Sequence, residues 1–169
     1  MSRPKSPESS YDRIFKELEK NKVRYLVVGG LALNLYNVNR FTMDVDMMLD
    51  LEKENLEKFI QAMQKLQYRP RVPVKAEQLT DLQTREMWKR EKNAVVFTFI
   101  PAVQNLPSID IFLSNPIDFN KAFSKRRTVK GGSFNISLLS PKDLVKLKQI
   151  ASRDKDLLDI KILKRQMEI

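Results

Sequence analysis

The sequence predicts an α/β (α+β) fold, a mixed β-sheet flanked by helices and finished by helices at the C-terminal end. Three observations carry that expectation. Short β-branched runs alternate with amphipathic stretches, a pair of glycines sits between two further strand-like runs, and the stretch from 139 onward reads as two capped helices. The 169 residues are expected to form one domain, 1–169, with 1–10 flexible and 139–169 as a C-terminal helical part.

The elements follow in order. Residues 9–21, SSYDRIFKELEKN, place Ile14, Phe15 and Leu18 at helical spacing with Ser9 or Ser10 as N-cap. VRYLVV (23–28) is a buried strand bounded by Gly29 and Gly30, and LALNLYN (31–37) is a short helix directly after them. DVDMMLDL (44–51) is a second strand, and 52–67 is an amphipathic helix with Leu56, Phe59, Ile60, Met63 and Leu66 on one face. Two prolines in 68–78 break the pattern before a helix near 79–90. NAVVFTFIP (93–101) and SIDIFLS (108–114) are strands, and 117–123 is at best a short helix. RRTVKGGSFNISLL reads as a hairpin turning at Gly131 and Gly132. Ser140, Pro141 and Asp143 then supply an N-cap, a first helical residue and a capping partner for a helix over 140–152, with a last helix over 154–167.

Composition narrows the chemistry. There is no cysteine and no histidine, which removes disulfides, thiolate and imidazole metal sites, and every histidine-based triad. Carboxylates, lysines, hydroxyls and backbone amides are what remain. No apolar run approaches the roughly 20 residues of a membrane span. The polar N-terminus lacks a signal-peptide core. A cytoplasmic protein with no membrane partner is the expectation. The net charge of +10 lies wholly in residues 61–169, because residues 1–60 hold ten basic and ten acidic residues. Such asymmetry points to a polyanionic partner, nucleotide or nucleic acid.

The chemistry-bearing residues gather in YLVVGGLALNLYNVNRFTMDVDMMLDL, residues 25–51. A strand ending in Gly29-Gly30 and leading into a helix offers backbone N–H groups to an anion, although alone it reads more readily as a tight turn. Neither the G-x-G-x-x-G spacing of a dinucleotide fold nor a P-loop G-K-[ST] is present. With a side-chain period of two, Asp44 and Asp46 share one strand face while Val45 points the other way. Paired carboxylates repel unless a cation lies between them, and Mg²⁺ is the hard cation that oxygen ligands suit. Asp110, between Ile109 and Ile111, is a third acid within a strand. If the strands are neighbours, all three converge.

Gly29-Gly30, Asp44-Val45-Asp46 and a later Asp110 resemble the nucleotidyltransferases of the DNA polymerase beta superfamily. Arg40-Phe41-Thr42-Met43-Asp44-Val45-Asp46 is similar to the Arg-x-Thr-x-Asp-x-Asp run of the small AbiEii/AbiGii-like bacterial branch, related to toxin–antitoxin and phage-defence pairs. Lys148, Arg153, Lys155 and Asp156 resemble a Lys and an Arg-x-Lys-Asp group in the closing helices of that branch. The likeness covers 23–51, 108–114 by position, and 139–163 more loosely. Asn37 stands where many relatives carry glycine, and asparagine tolerates the left-handed backbone such a turn needs.

The resemblance implies a nucleotidyltransferase fold and a set of roles. Asp44, Asp46 and Asp110 would be catalytic and ligate Mg²⁺ (or Mn²⁺). Gly29, Gly30, Arg40, Thr42 and Lys148 would bind the nucleoside triphosphate. Taken singly, Arg40, Lys148, Arg153 and Lys155 each read as solvated cations, and Trp88 reads as packing or an acceptor contact. The implied activity is transfer of a nucleoside monophosphate from NTP to a hydroxyl of RNA (tRNA) or of a partner toxin or antitoxin protein. The alternative is a catalytically degenerate copy that acts as a basic nucleotide-, RNA- or partner-binding module. A small cationic drug as acceptor suits a basic surface less well.

Overall fold

The computed structural model describes residues 9–151 and 153–167. Of the stretch 1–10 expected to be flexible, 1–8 lie outside the described residues, while Ser9 caps the first helix and Ser10 opens it. That helix, α1 (Ser10–Lys20), has a full capping box between Ser9 and Asp12. β1 (Tyr25–Val28) is buried along its whole length. It runs directly into α2 (Gly29–Leu35), so both glycines lie inside the helix rather than before it, which corrects the expected start at 31.

β2 (Asp44–Leu49) and α3 (Lys53–Lys65) follow as expected. The break after α3 contains an unexpected strand, β3 (Tyr68–Pro70), and a 3₁₀ turn (Ala76–Thr80). Proline is tolerated in β3 because it is an edge strand, bonded only to its neighbour β4 (Val96–Pro101). Between them lies α4 (Leu82–Lys92), capped by Asp81. β5 (Ser108–Phe112) and α5 (Phe119–Ser124) lead into the hairpin of β6 (Arg127–Lys130) and β7 (Asn135–Leu138). α6 (Pro141–Ala151) and α7 (Asp154–Met167) close the chain. The Ser140 cap is present: its Oγ accepts from Asp143 N at 3.2 Å.

The strands form one mixed sheet in the order β3-β4-β5-β2-β1-β7-β6. β2 and β5 are parallel neighbours, so the condition set by the sequence is met. β1 runs antiparallel to β2 and parallel to β7. The sheet's core is aromatic at one end. Fully buried Phe99 packs edge-on against Phe59 at 5.5 Å and tilted against Phe97 at 5.3 Å, and Trp88 stacks on Phe97 at 5.4 Å. Trp88 is therefore a packing residue. Buried Asn55 fixes α3 to the strand ends: its Oδ1 accepts from Arg24 N at 2.8 Å and its Nδ2 donates to Asp50 O at 2.8 Å. No described helix is long and apolar enough to cross a membrane.

Phe99→Ala is expected to cost about 3–5 kcal/mol, the range for emptying a closed aromatic site. Urea unfolding followed by fluorescence of Trp88, the only tryptophan, measures it.

Candidate active site

The site is set by one row of the sheet. Val28 on β1 pairs with Asp46 on β2, and Asp46 pairs with Asp110 on β5. Asp110 in turn faces Thr98 on β4, whose Oγ1 donates to Asp110 Oδ1 at 2.5 Å. Side chains of one register row stand on one face, so two carboxylates meet side by side. Asp44 lies two residues earlier, opposite Ser108, and is exposed.

Half-buried Asp46 bears the cost of this arrangement. Burial, then the charges of Asp110 and Asp44, push its carboxyl up to about 6, against the weaker pull of Arg153 and Lys148. Among the described residues no group of three or more Asp or Glu side chains is gathered closely enough to hold a metal ion unaided. The Asp46–Asp110 pair nonetheless fits a hard cation. Two adjacent carboxylates, one of them reluctant to ionise, are the donor set that Mg²⁺ completes with phosphate oxygens and water.

The two glycines are explained by what presses on them. Gly29 has φ +66°, and a Cβ there would lie 2.2 Å from Asp46 Oδ2. At Gly30 a Cβ would lie 2.9 Å from Thr42 Cβ. Both positions need glycine for close approach, and the first also for its backbone. Val28 at the N-cap of α2 makes no side-chain cap bond.

The loop after α2 brings the Arg-x-Thr segment back over this turn. Asn37 has φ +63°, the left-handed conformation that its sequence position suggested. Asn34 brackets Arg40, accepting from its N at 2.7 Å and donating to its carbonyl at 2.8 Å. Thr42 Oγ1 donates to Asp44 O at 3.0 Å, which ties the loop to the start of β2.

Opposite the carboxylates, α6 and α7 hold an ionic cluster. Lys148 is buried, not solvated, and its Nζ lies 2.9 Å from Asp159 Oδ2 and 3.4 Å from Asp156 Oδ1. Arg153 Nε donates to Asp156 Oδ2 at 2.9 Å, and Arg40 Nη2 lies 3.4 Å from Asp159 Oδ2. Burial alone would raise the Asp156 carboxyl, but hydrogen bonds from Arg153 and the charge of Lys148 hold it below its ordinary range. Three cations thus share two buried anions, which leaves one positive charge in excess.

Between the carboxylates and this cluster lies a cavity of about 600 Å³. Gly29, Gly30, Arg40, Thr42, Asp46, Asp110 and Lys148 all line it, so the structure brings together every expected site residue except Asp44, which stays outside at the open end of β2. Arg153, Lys155 and Asp156 line it too, and Phe41, 92% exposed, stands at its mouth. Sequence reasoning missed Thr98, Asn34 and Asp159. The Asp156/Asp159 spacing on one helix face is a signal for the last, but nothing local marks Thr98.

A mixed sheet with a strand–Gly-Gly–helix turn beside in-register aspartates defines a nucleotidyltransferase fold. The chain belongs to the family described as Nucleotidyltransferase of unknown function (DUF6036), which matches residues 10–165. No curated protein matches it. Among solved structures it is similar to a candidate nucleotidyltransferase from Thermotoga maritima, with TM-score 0.55 and 15% identity over 94% of this chain and 90% of that one. The lincosamide antibiotic adenylyltransferase LnuA, solved with lincomycin, gives TM-score 0.58 and 17% identity over 92% and 94%. ANT(2")-Ia, solved with adenylyl-2"-tobramycin, gives 0.59 and 11% over 93% and 87%. At such identities these likenesses show the fold.

The raised Asp46 carboxyl makes a stability prediction. The fold favours protonated Asp46, so its contribution is present below pH 4 and lost as pH rises through about 6. Ionisation at neutral pH costs on the order of 3 kcal/mol. Asp46→Asn should therefore raise the melting temperature of metal-free protein at pH 7.5 and leave it nearly unchanged at pH 4. Thermal scans at the two pH values check this, and equal shifts at both would contradict it.

Proposed function

We propose that the protein transfers a nucleoside monophosphate from an NTP to a hydroxyl acceptor, with RNA, and tRNA in particular, as the acceptor its charge favours. The observation that carries this reading is the register row that sets Asp46 against Asp110, across the cavity from Lys148, Arg153 and Arg40. Asp46 and Asp110, with Asp44 drawn in from the strand end, would hold Mg²⁺ or Mn²⁺. That ion supplies charge neutralisation at the triphosphate and acidifies an oxygen bound to it.

The chain's own residues divide the remaining work. The α2 turn at Gly29 and Gly30, with Thr42 beside it, receives the β- and γ-phosphates. The acceptor oxygen forms a bond to the α-phosphorus while the bond from that phosphorus to the bridging oxygen breaks, and pyrophosphate leaves. Thr98 occupies Asp110 Oδ1. Asp110 Oδ2 is thereby left to take the acceptor's proton. The excess positive charge of the Lys148–Arg153–Arg40 cluster faces the departing pyrophosphate. The AbiEii/AbiGii-like resemblance adds a cytoplasmic toxin–antitoxin or phage-defence setting with a partner protein, on the sequence motif alone.

The test is incubation with each NTP labelled at the α-phosphate, Mg²⁺, and total tRNA or cell extract. Label should pass to an RNA-sized band, and Asp110→Asn should reduce transfer by ~10²–10⁴-fold. Metal-dependent nucleotide binding without transfer to any acceptor would favour the degenerate binding module instead.

Thr98 tests the role of Asp110 separately. Thr98→Val should lower kcat by ~10–100-fold with little change in KM for NTP, and Thr98→Ser should restore it. Equal loss in the serine variant would mean that Thr98 matters only for packing.

A further inference from the structure

The basic excess has a definite address. From Phe119 to Lys142 there is no Asp or Glu, while Lys121, Lys125, Arg126, Arg127, Lys130 and Lys142 supply six cations. The first five stand on α5, β6 and the link between them, all exposed, and none forms an ion pair among the described residues. Two guanidinium groups lie on rings. Arg126 sits 3.9 Å from the centroid of Phe123, which stacks on Phe119, and Arg127 sits 5.8 Å from that of Tyr36.

The sheet register connects this edge to the candidate active site. Arg127 pairs with Leu138, Leu138 with Val27, and Val27 with Met47. The next row along is Val28, Asp46 and Asp110, whose side chains stand on the other face of the sheet from Arg127, the face that Thr128 and Lys130 of β6 share. Three strand spacings separate β6 from β2, about 14 Å. Tyr36, under Arg127, caps the far end of the same short helix whose first turn is Gly29-Gly30.

We infer that the α5–β6 edge is a docking surface for the phosphodiester backbone of a single-stranded RNA segment, which leads the acceptor end across the sheet to Asp46 and Asp110. This deepens the proposed transfer reaction and rests on it for the acceptor's purpose. Unpaired exposed cations in a row suit a chain of phosphates better than the compact triphosphate of one nucleotide. Guanidinium planes held on aromatic rings present flat faces on which unstacked bases lie. A protein partner fits poorly, because protein interfaces are anchored by apolar and aromatic side chains. The exposed large hydrophobics are at positions such as Phe41, Val95, Val96 and Ile150, with none between 104 and 149.

The test uses full-length protein and a fluorescent single-stranded RNA with a free 3′ hydroxyl, titrated without NTP over a range of KCl. One variant combines Lys125→Gln, Arg127→Gln and Lys130→Gln, leaving Arg126, whose Nη1 donates to Phe123 O, in place. The control combines Lys161→Gln, Lys164→Gln and Arg165→Gln on α7, which removes the same charge elsewhere. The edge variant should bind RNA at least ~10-fold more weakly, with a salt slope smaller by about 2. The control should stay within about threefold of wild type, and both should melt like wild type. Equal weakening in the two variants would reduce the effect to net charge. Unchanged binding in the edge variant would leave these cations only a guard on an open strand edge. Polyglutamate of matched charge competing as well as RNA would overturn the nucleic-acid assignment. Binding is read apart from catalysis, so wild type that binds RNA through this edge yet transfers no label fails the reaction and not the surface.

Discussion

The pairing of Asp46 with Asp110 across the β2–β5 register is the constraint around which the rest of the site is arranged. Parallel strands place in-register side chains on one face, and two carboxylates there repel in a half-buried setting. Their neighbours are of kinds that tolerate or relieve this. Gly29 gives way because any side chain would meet Asp46. Thr98 offers a hydroxyl donor to Asp110 from the next strand. Arg153 and Lys148 oppose the upward push on Asp46 from across the cavity. Without those charges a fold would not retain two acids in this row for packing alone, since an apolar pair would serve the sheet better.

The cationic side is stiffened by its own anions. Lys148, Asp156 and Asp159 are all buried, and burying ions is costly unless each is matched. Two carboxylates between three cations satisfy the match and leave a net positive charge aimed inward. Arg40 makes the cluster more than a joint between α6 and α7. It comes from the loop that carries Thr42, and its contact with Asp159 ties that loop to the last helix. The loop is also held by the Asn34 bracket at its base. The turn near the glycines, the start of β2 and the closing helices are thus one mechanically connected frame.

Much of this was legible in the sequence, for local reasons. Period-two spacing put Asp44 and Asp46 on one face, a β-branched run into Gly29-Gly30 marked the turn, and Asn37 took the left-handed backbone its chemistry allows. Ser140, Pro141 and Asp143 announced α6. What stayed hidden depends on partners distant in the chain. Thr98 matters only through the β4–β5 register. Lys148 looks solvated on a lysine-rich helix until α7 folds back to bury it against Asp156 and Asp159. β3 was concealed by Pro70, which reads as a break unless the strand is known to lie at an edge. Asp44 shows the limit of local spacing from the other side, because sharing a face with Asp46 did not bring it into the cavity.

The distribution of positive charge separates two uses that net charge alone would merge. In the cavity Lys148 is buried and Arg40 and Arg153 reach the same two buried carboxylates from more exposed positions, so these three act at short range on a ligand already in place. Along α5 and β6 they are exposed and unpaired, so each is worth little singly and is screened by salt, yet together they attract a long anion from solution. A compact triphosphate calls for the first arrangement and a polymer for the second. The sheet carries both, because Lys130 on β6 shares the face of Asp46, three strands away, and of Asp110 beside it. Five exposed cations with no acidic residue among them, half of the +10 excess in number, thus stand along α5 and β6.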